Sequence, residues 1–226
     1  MGARKSKRSL SVQKDRFRYG LSRSIETRTV LPVVAVVCDD TKTACSYFKI
    51  LKREVAQRVT VNVIGARRTG ATAKITVDLA IDERKKLRAA QTGGSMEAGD
   101  SVWALVDLEA EPSRVSSAYS EQKRGRELGV QVLLSNPCFE VWTLAHLTDT
   151  GETFADCQAV LQRVKSEWKR QFGVEFGDKS TASYEKLTPF RNEAVRRAKS
   201  RVENRAKEQS WTEVYQVVEE ILRLTV

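Results

Sequence analysis

Hydrophobic residues fall into short continuous runs over the first 135 residues and into helical spacing after them. Leu31–Val37, Val59–Ile64, Val102–Val106 and Val130–Leu134 are apolar and rich in Val, Ile and Leu. Such runs read as strands buried on both faces, as in a parallel sheet covered by helices. Between them, mixed stretches predict helices over Thr43–Gln57, Ala71–Ala90 and Ser113–Leu128, and a break at Thr92-Gly-Gly-Ser precedes the third strand. Strictly alternating strands and helices predict an α/β fold, a doubly wound parallel sheet of about four strands with right-handed crossovers.

From Cys138 onward the spacing becomes helical. Phe139–His146 predicts a short helix after Pro137, and Phe154–Phe172, Leu187–Lys207 and Trp211–Leu224 predict longer ones. Leu187, Phe190, Ala194, Ala198, Val202 and Ala206 mark one face of the second of these, a stripe suited to core packing. The polar segment Gly173–Ser183 predicts an exposed loop. The chain therefore divides into residues 1–28, an α/β domain over 29–150, and a helical extension over 151–226 packed on it.

Two of the strands run straight into carboxylates. Leu31–Val37 leads into Cys38-Asp39-Asp40, and Ser101–Val106 leads into Asp107-Leu-Glu109. Ligands of open α/β sheets bind beyond the carboxyl ends of the strands. Carboxylates gathered there repel one another unless a cation lies between them, and Mg²⁺ (or Mn²⁺) held by carboxylates, water and phosphate meets that need. A lone Asp at such a position more often caps a helix. Two acidic strand ends favour the metal.

Charge adds a partner. The 226 residues carry a formal net charge of +10, and residues 1–28 hold nine Lys/Arg against Asp15 and Glu26. A mobile basic arm of this kind suits nucleic acid, although a solubilising tail has the same composition. Arg163–Lys207 is a second basic region. The loop Gly65-Ala-Arg-Arg-Thr-Gly70-Ala-Thr72 resembles a P-loop, but Ala71 stands where the phosphate-binding lysine belongs, which argues against an NTPase. A plain strand-to-helix turn explains it, and Arg67 and Arg68 remain candidates for nucleic-acid phosphate contact. The single histidine, His146, excludes two-histidine ribonuclease chemistry within one chain. Cys38, Cys45, Cys138 and Cys157 show no C-x₂-C spacing and read as reduced thiols. No apolar run reaches the roughly 18 residues of a membrane span, and the N-terminus lacks a hydrophobic signal core. No membrane association and a cytoplasmic location are expected.

Four segments carry a family resemblance. Val36–Lys49, with C-D-D-T-K-T-A-C-S-Y-F, resembles the C-E-G-x-x-T-E-x-x-Y-F segment of the RloB-like family. Asp100-Ser-Val-Trp-Ala-Leu-Val-Asp-Leu-Glu109 is similar to its D-x-V-W-x-V-x-D-x-D strand. Ser135-Asn-Pro-Cys-Phe-Glu140-Val-Trp142 resembles its S-N-P-x-F-E-x-W signature, and Tyr184-Glu-Lys186 its Y-x-K element. The resemblance implies a Toprim-type fold. It implies an acid after the first strand that moves protons, and an acidic pair after the third strand that binds Mg²⁺. The chain departs from the pattern at Asp39 (Glu in the family), Asp40 (Gly), Ala44 (an acid) and Glu109 (Asp).

The expectation is a metal-dependent Toprim-type nuclease of bacterial anti-phage defence, encoded beside an ABC-type ATPase that would be its partner. Asp107 and Glu109 would hold the metal with Asp39 and Asp40. Asp39 would act on the attacking water, and Lys42 and Lys186 would meet phosphate. Ser135, Asn136 and Glu140 would line the site. Asp39 is one methylene shorter than Glu, and about 1 Å of misplacement can cost on the order of 10²-fold in rate. An impaired module that binds nucleic acid or the ATPase is therefore the alternative, and a phosphoesterase acting on small nucleotides is a third reading.

Overall fold

The computed structural model describes residues 30–66, 71–91, 96–109, 111–177, 181–204 and 209–226. Segment 1–28, Arg67, Arg68 and the break at 92–95 lie outside these residues. Leu31–Val226 form one compact unit.

The unit is a mixed α/β fold. Strands β1 (Val33–Cys38), β2 (Thr60–Gly65), β3 (Ser101–Asp107) and β4 (Gln131–Asn136) alternate with helices α1 (Thr43–Val55), α2 (Ala73–Ala90) and α3 (Pro112–Glu127). The remaining elements are α4 (Glu140–Leu147), α5 (Cys157–Phe172), α6 (Thr181–Glu185), α7 (Arg191–Glu203), β5 (Trp211–Thr212) and α8 (Tyr215–Arg223). The sheet order is β2-β1-β3-β4-β5, parallel except where β5 runs antiparallel to β4. Among the described residues, no helix is long and apolar enough to cross a membrane.

Alternation along each strand splits the core in two. Val34, Val36, Cys38, Trp103, Leu105 and Leu133 face a large layer built from α1, α4, α5, α7 and α8. Ala35, Val37, Val102, Ala104, Val106, Val132 and Leu134 face a thinner layer built from α2 and α3. Both faces are covered, so the strands read as unbroken apolar runs. The helix starts follow local chemistry. The Thr72 hydroxyl accepts the Ile75 N–H at 3.4 Å and begins α2, and Asp156 accepts the Ala159 N–H at 2.8 Å and begins α5. The α5 cap at Asp156 places its start three residues after the Phe154 that the hydrophobic pattern suggests.

The C-terminal third departs most from the sequence pattern. Trp211–Thr212 is a strand, not the start of a helix. Its polar neighbours are committed to β4: the Ser135 and Thr212 hydroxyls pair at 2.8 Å, and the Glu213 carboxylate accepts the Leu134 N–H at 3.0 Å. The segment predicted as one helix from Leu187 is interrupted. Pro189 sits in a 3-10 turn, Thr188–Phe190, and α7 starts only at Arg191. Within Gly173–Ser183, expected to be an exposed loop, Phe176 is buried against Trp168 with ring centroids 4.9 Å apart, and α6 begins at Thr181. Of the apolar stripe, Leu187, Ala194 and Ala198 are buried as the spacing predicts.

Candidate functional site: an acidic cleft at the carboxyl edge of the sheet

Strands β1 and β3 are hydrogen-bonded neighbours running the same way, with Cys38 opposite Leu105. Their acidic ends therefore emerge side by side. One oxygen of Asp39 accepts the backbone N–H of Asp107 at 3.3 Å. Asp40 turns toward α1, where its Oδ2 accepts the Thr43 N–H at 2.8 Å, while its Oδ1 is buried without a partner among the described residues. The close turn depends on Gly65, the last residue of β2. A Cβ there would stand 2.7 Å from the Asp40 carbonyl oxygen and 3.0 Å from the Thr41 Cα. Any larger residue would push the Asp39–Thr41 loop away from β2.

The end of β4 shapes the other side. Leu108 N–H donates to the Ser135 carbonyl at 3.0 Å, and Glu109 N–H donates to the Pro137 carbonyl at 2.9 Å. The S-N-P segment thus carries the loop after β3 on its backbone. Its side chains are engaged elsewhere: Ser135 on Thr212, and Asn136 through its amide on the Gln209 carbonyl at 3.1 Å. The chain then enters α4, whose first residue, Glu140, is buried.

These elements enclose a cleft of about 190 Å³ walled by Asp39, Asp40, Thr43, Asp107, Glu140, Cys138, Phe139 and Cys157. Burial raises Asp39 from its ordinary 3.8 to about 7. The neighbouring Asp40 charge adds to that, the Asp107 N–H opposes it, and Glu109 and Glu140 push upward again. Burial likewise holds Asp107 well above the usual carboxylate range, reinforced by Asp39 and Glu140, while the Phe139 N–H pulls down. Two half-buried carboxyls this close to other acids favour a proton or a cation between them.

The donor chemistry suits a hard divalent cation. Asp39 and Asp107 supply oxygens, as does the partnerless Oδ1 of Asp40, and Mg²⁺ commonly uses one or two carboxylates with water and substrate phosphate completing its shell. Among the described residues no three His, Cys, Asp or Glu side chains stand in a ready-made ligand set. What exists is an open acidic site, not a closed cage.

Other candidates are placed differently. Glu109 adopts a left-handed backbone (φ 52°), is exposed, and forms an ion pair with Arg114 of α3. It is not among the residues walling the cleft. Arg114 also lines a second cavity of about 110 Å³ that shares Asp39 and Asp107 with the cleft and adds Thr72, Ser113 and Ser117. It is a cation beside both carboxylates that the sequence reading passed over. Its only signal was its place in the first turn after Pro112. Lys42 is exposed just before α1. Lys186 is exposed, with its ammonium 5.6 Å from the centroid of the Phe172 ring. Arg67 and Arg68 lie outside the described residues.

His146 is spent on structure. Its Nδ1 lies 2.9 Å from the Trp142 carbonyl, which can only accept, so that nitrogen carries the proton and Nε2 faces the Tyr47 hydroxyl at 3.4 Å. Burial lowers its pKa to about 3. A neutral imidazole enclosed by Tyr47 and Trp142 does not serve the cleft. The cysteines do approach it. Cys138 and Cys157 share a wall, and their mutual hydrogen bond raises Cys138 and lowers Cys157.

A family model described as RloB-like protein matches residues 34–221. No curated protein and no solved structure matches the chain.

Proposed function

The chain belongs to the RloB-like family, and from that membership and its acidic cleft we propose that it is a metal-dependent nuclease of the Toprim type, acting in bacterial defence against phage. The observation that carries the reading is the pairing of Asp39 and Asp107 on adjacent strand ends in one cleft, both held short of full ionisation by burial, with the Asp39 charge adding to the effect on Asp107. Mg²⁺ or Mn²⁺ held there would neutralise phosphate charge and acidify water. Asp107 and Asp39 would bind and orient that cation. Asp39 would also stand within the cleft to accept a proton from that water. Arg114, lining the cavity next to both carboxylates, would meet phosphate oxygens from the α3 side. Phe139 and Cys138 add apolar groups to the wall of the cleft. A co-encoded ABC-type ATPase would be the regulating partner, and the basic segment 1–28 would hold nucleic acid.

The direct test is cleavage of DNA, RNA and tRNA with Mg²⁺ or Mn²⁺, comparing the wild type with Asp107→Asn. Metal-dependent cleavage lost in the variant supports the reading. Equal cleavage by both would remove the catalytic assignment.

One observation favours the second reading, a binding module without cleavage. Glu109, which stands at the family's second metal-binding acid, is turned to Arg114. If no metal and no partner ATPase elicits cleavage, while nucleic acid still binds in a salt-dependent way, that reading replaces the first.

A further inference from the structure

Helix α4 has polar sites at both ends. Glu140 stands at the acidic cleft. Past its other end, a separate cavity of about 230 Å³ lies between α7 and the segment that follows α4. Arg197, Ser200 and Arg201 of α7 and Asn204 just past its end form one wall, with Asp149 and Gln209 also lining the space.

The arginines are only partly spent. Arg197 Nη1 donates to the Ala145 and His146 carbonyls, at 2.9 and 3.4 Å, at the end of α4. Among the described residues its Nε is buried without a hydrogen-bond partner, and Glu193 comes no nearer than 3.9 Å. Arg201 is nine-tenths buried, and its Nη2 meets Asp149 at 3.5 Å, a carboxylate that is 64% exposed. Burial lowers Arg201 despite Asp149, and the Arg197 charge pushes the same way. Two guanidinium groups thus share a cavity in which, among the described residues, Asp149 is the one carboxylate and is loosely held. Capping α4 and tethering Asp149 explains one nitrogen of each. It does not explain the orphaned Nε or the open space beside it.

The placement is also informative. Gln209 comes just before β5, and its carbonyl holds the Asn136 amide at the carboxyl end of β4. Because β5 runs antiparallel, Gln209 lies past the same sheet edge that carries Asp39 and Asp107. Eight residues of α4, about 12 Å at the α-helical rise, separate the two sites.

We propose that the Arg197–Arg201 pocket is a phosphate-binding site that accepts a phosphate group of a nucleotide or of a nucleic-acid chain. Guanidinium forks match phosphate oxygens in geometry and charge, and Ser200 and Asn204 add neutral polar groups at the mouth. The site needs no metal and does not depend on cleavage.

The experiment uses the full chain in EDTA, so the acidic cleft is held free of metal. Thermal denaturation is followed with inorganic phosphate, with adenosine monophosphate, and with chloride at equal ionic strength. Affinity for a fluorescent single-stranded oligonucleotide is measured alongside. Ser200→Asp puts a carboxylate at the exposed mouth of the pocket without touching the core. Arg196→Gln removes an exposed charge of the same helix outside the pocket. Phosphate should stabilise the wild type more than chloride does, Ser200→Asp should cancel that gain, and Arg196→Gln should keep it. If the ligand is a chain, Ser200→Asp should also weaken oligonucleotide binding by about tenfold. Loss of the phosphate response with oligonucleotide affinity intact identifies a free-nucleotide site. Weakened oligonucleotide binding without a response to free phosphate identifies a chain phosphate. If Asn204→Asp, made as a second variant, and Ser200→Asp both leave phosphate response and oligonucleotide affinity at wild-type levels, the arginines are structural and the proposal fails.

Discussion

The two ends of α4 hold opposite charges in similar trouble. At its N-terminus, Asp39 and Asp107 are half-buried and repel each other. At its C-terminus, Arg197 and Arg201 are partly to mostly buried and repel each other. The helix dipole favours this arrangement, with anions near the N-terminal N–H groups and cations near the last carbonyls, but it is worth only about 0.3–1 kcal/mol at such an end. That is too little to replace a counter-charge. The acids relieve the conflict by holding protons, Asp39 up to about pH 7. The arginines cannot, because a guanidinium stays charged throughout the accessible range. Within one layer of the fold, the acidic end therefore calls for a cation or a proton, and the basic end for an anion.

The largest expected effect breaks the comparison at its acidic end. Asp107→Asn keeps the shape and the hydrogen bonding to the Phe139 N–H but removes one of the two facing charges. If transition-state charge stabilisation of several kcal/mol is lost, metal-dependent cleavage falls by about 10³-fold or more. Circular dichroism should show an intact fold, since the same change relieves repulsion.

Stability against pH separates the two ends further. Asp39 has an ordinary value of 3.8 and a folded value of about 7. Between those values the folded protein holds a proton that the unfolded chain releases. Stability from this group is fully present below about pH 3.8 and is lost as pH rises through about 7. Without metal, the wild type should therefore lose stability between pH 5 and pH 8, by an amount on the order of 1–3 kcal/mol. Asp39→Asn should flatten that loss. Added Mg²⁺ should stabilise more at pH 8 than at pH 5. Stabilisation by sulfate at the arginine end should stay nearly level over the same range. A flat metal-free profile for the wild type would mean that the two carboxyls do not share a desolvated site.

Glu109 gives a smaller effect. Its carboxylate is exposed and engaged with Arg114, so Glu109→Gln should lower cleavage by less than about tenfold and stability by less than about 1 kcal/mol. A loss matching that of Asp107→Asn would show that the side chain swings into the cleft when metal binds.

The strands that build the acidic cleft were legible because their composition changes at the point where the strands end. Val33–Cys38 and Ser101–Asp107 are apolar to the last turn and then abruptly acidic, and a parallel pairing was enough to bring the two ends together. The arginine pocket was not legible in this way. Arg163–Lys207 reads as a solvated basic face, and nothing in the spacing of Arg197 and Arg201 reveals that one is nearly buried. That burial comes from α7 packing against α4, β5 and α8. The strand at Trp211–Thr212 was hidden for a related reason. Two residues carry no periodicity, and their pairing is decided by hydroxyl and carboxylate contacts with β4, 77 and 79 residues away in sequence. Asp100, part of the family resemblance, proved to serve the opposite edge of the sheet, where its carboxylate accepts the N–H groups of Val33 at 2.7 Å and Glu97 at 3.2 Å.

The central claim is that Asp39 and Asp107 form a cation site, and Mn²⁺ binding followed by electron paramagnetic resonance reports on it whether or not the substrate is known. The wild type at pH 8 should bind Mn²⁺, compete for it with Mg²⁺, and lose most of its affinity in both Asp39→Asn and Asp107→Asn, while Ser200→Asp at the other end of α4 binds as the wild type does. Mn²⁺ binding that survives both carboxylate substitutions, or that is absent from the wild type even with nucleic acid present, would contradict the account.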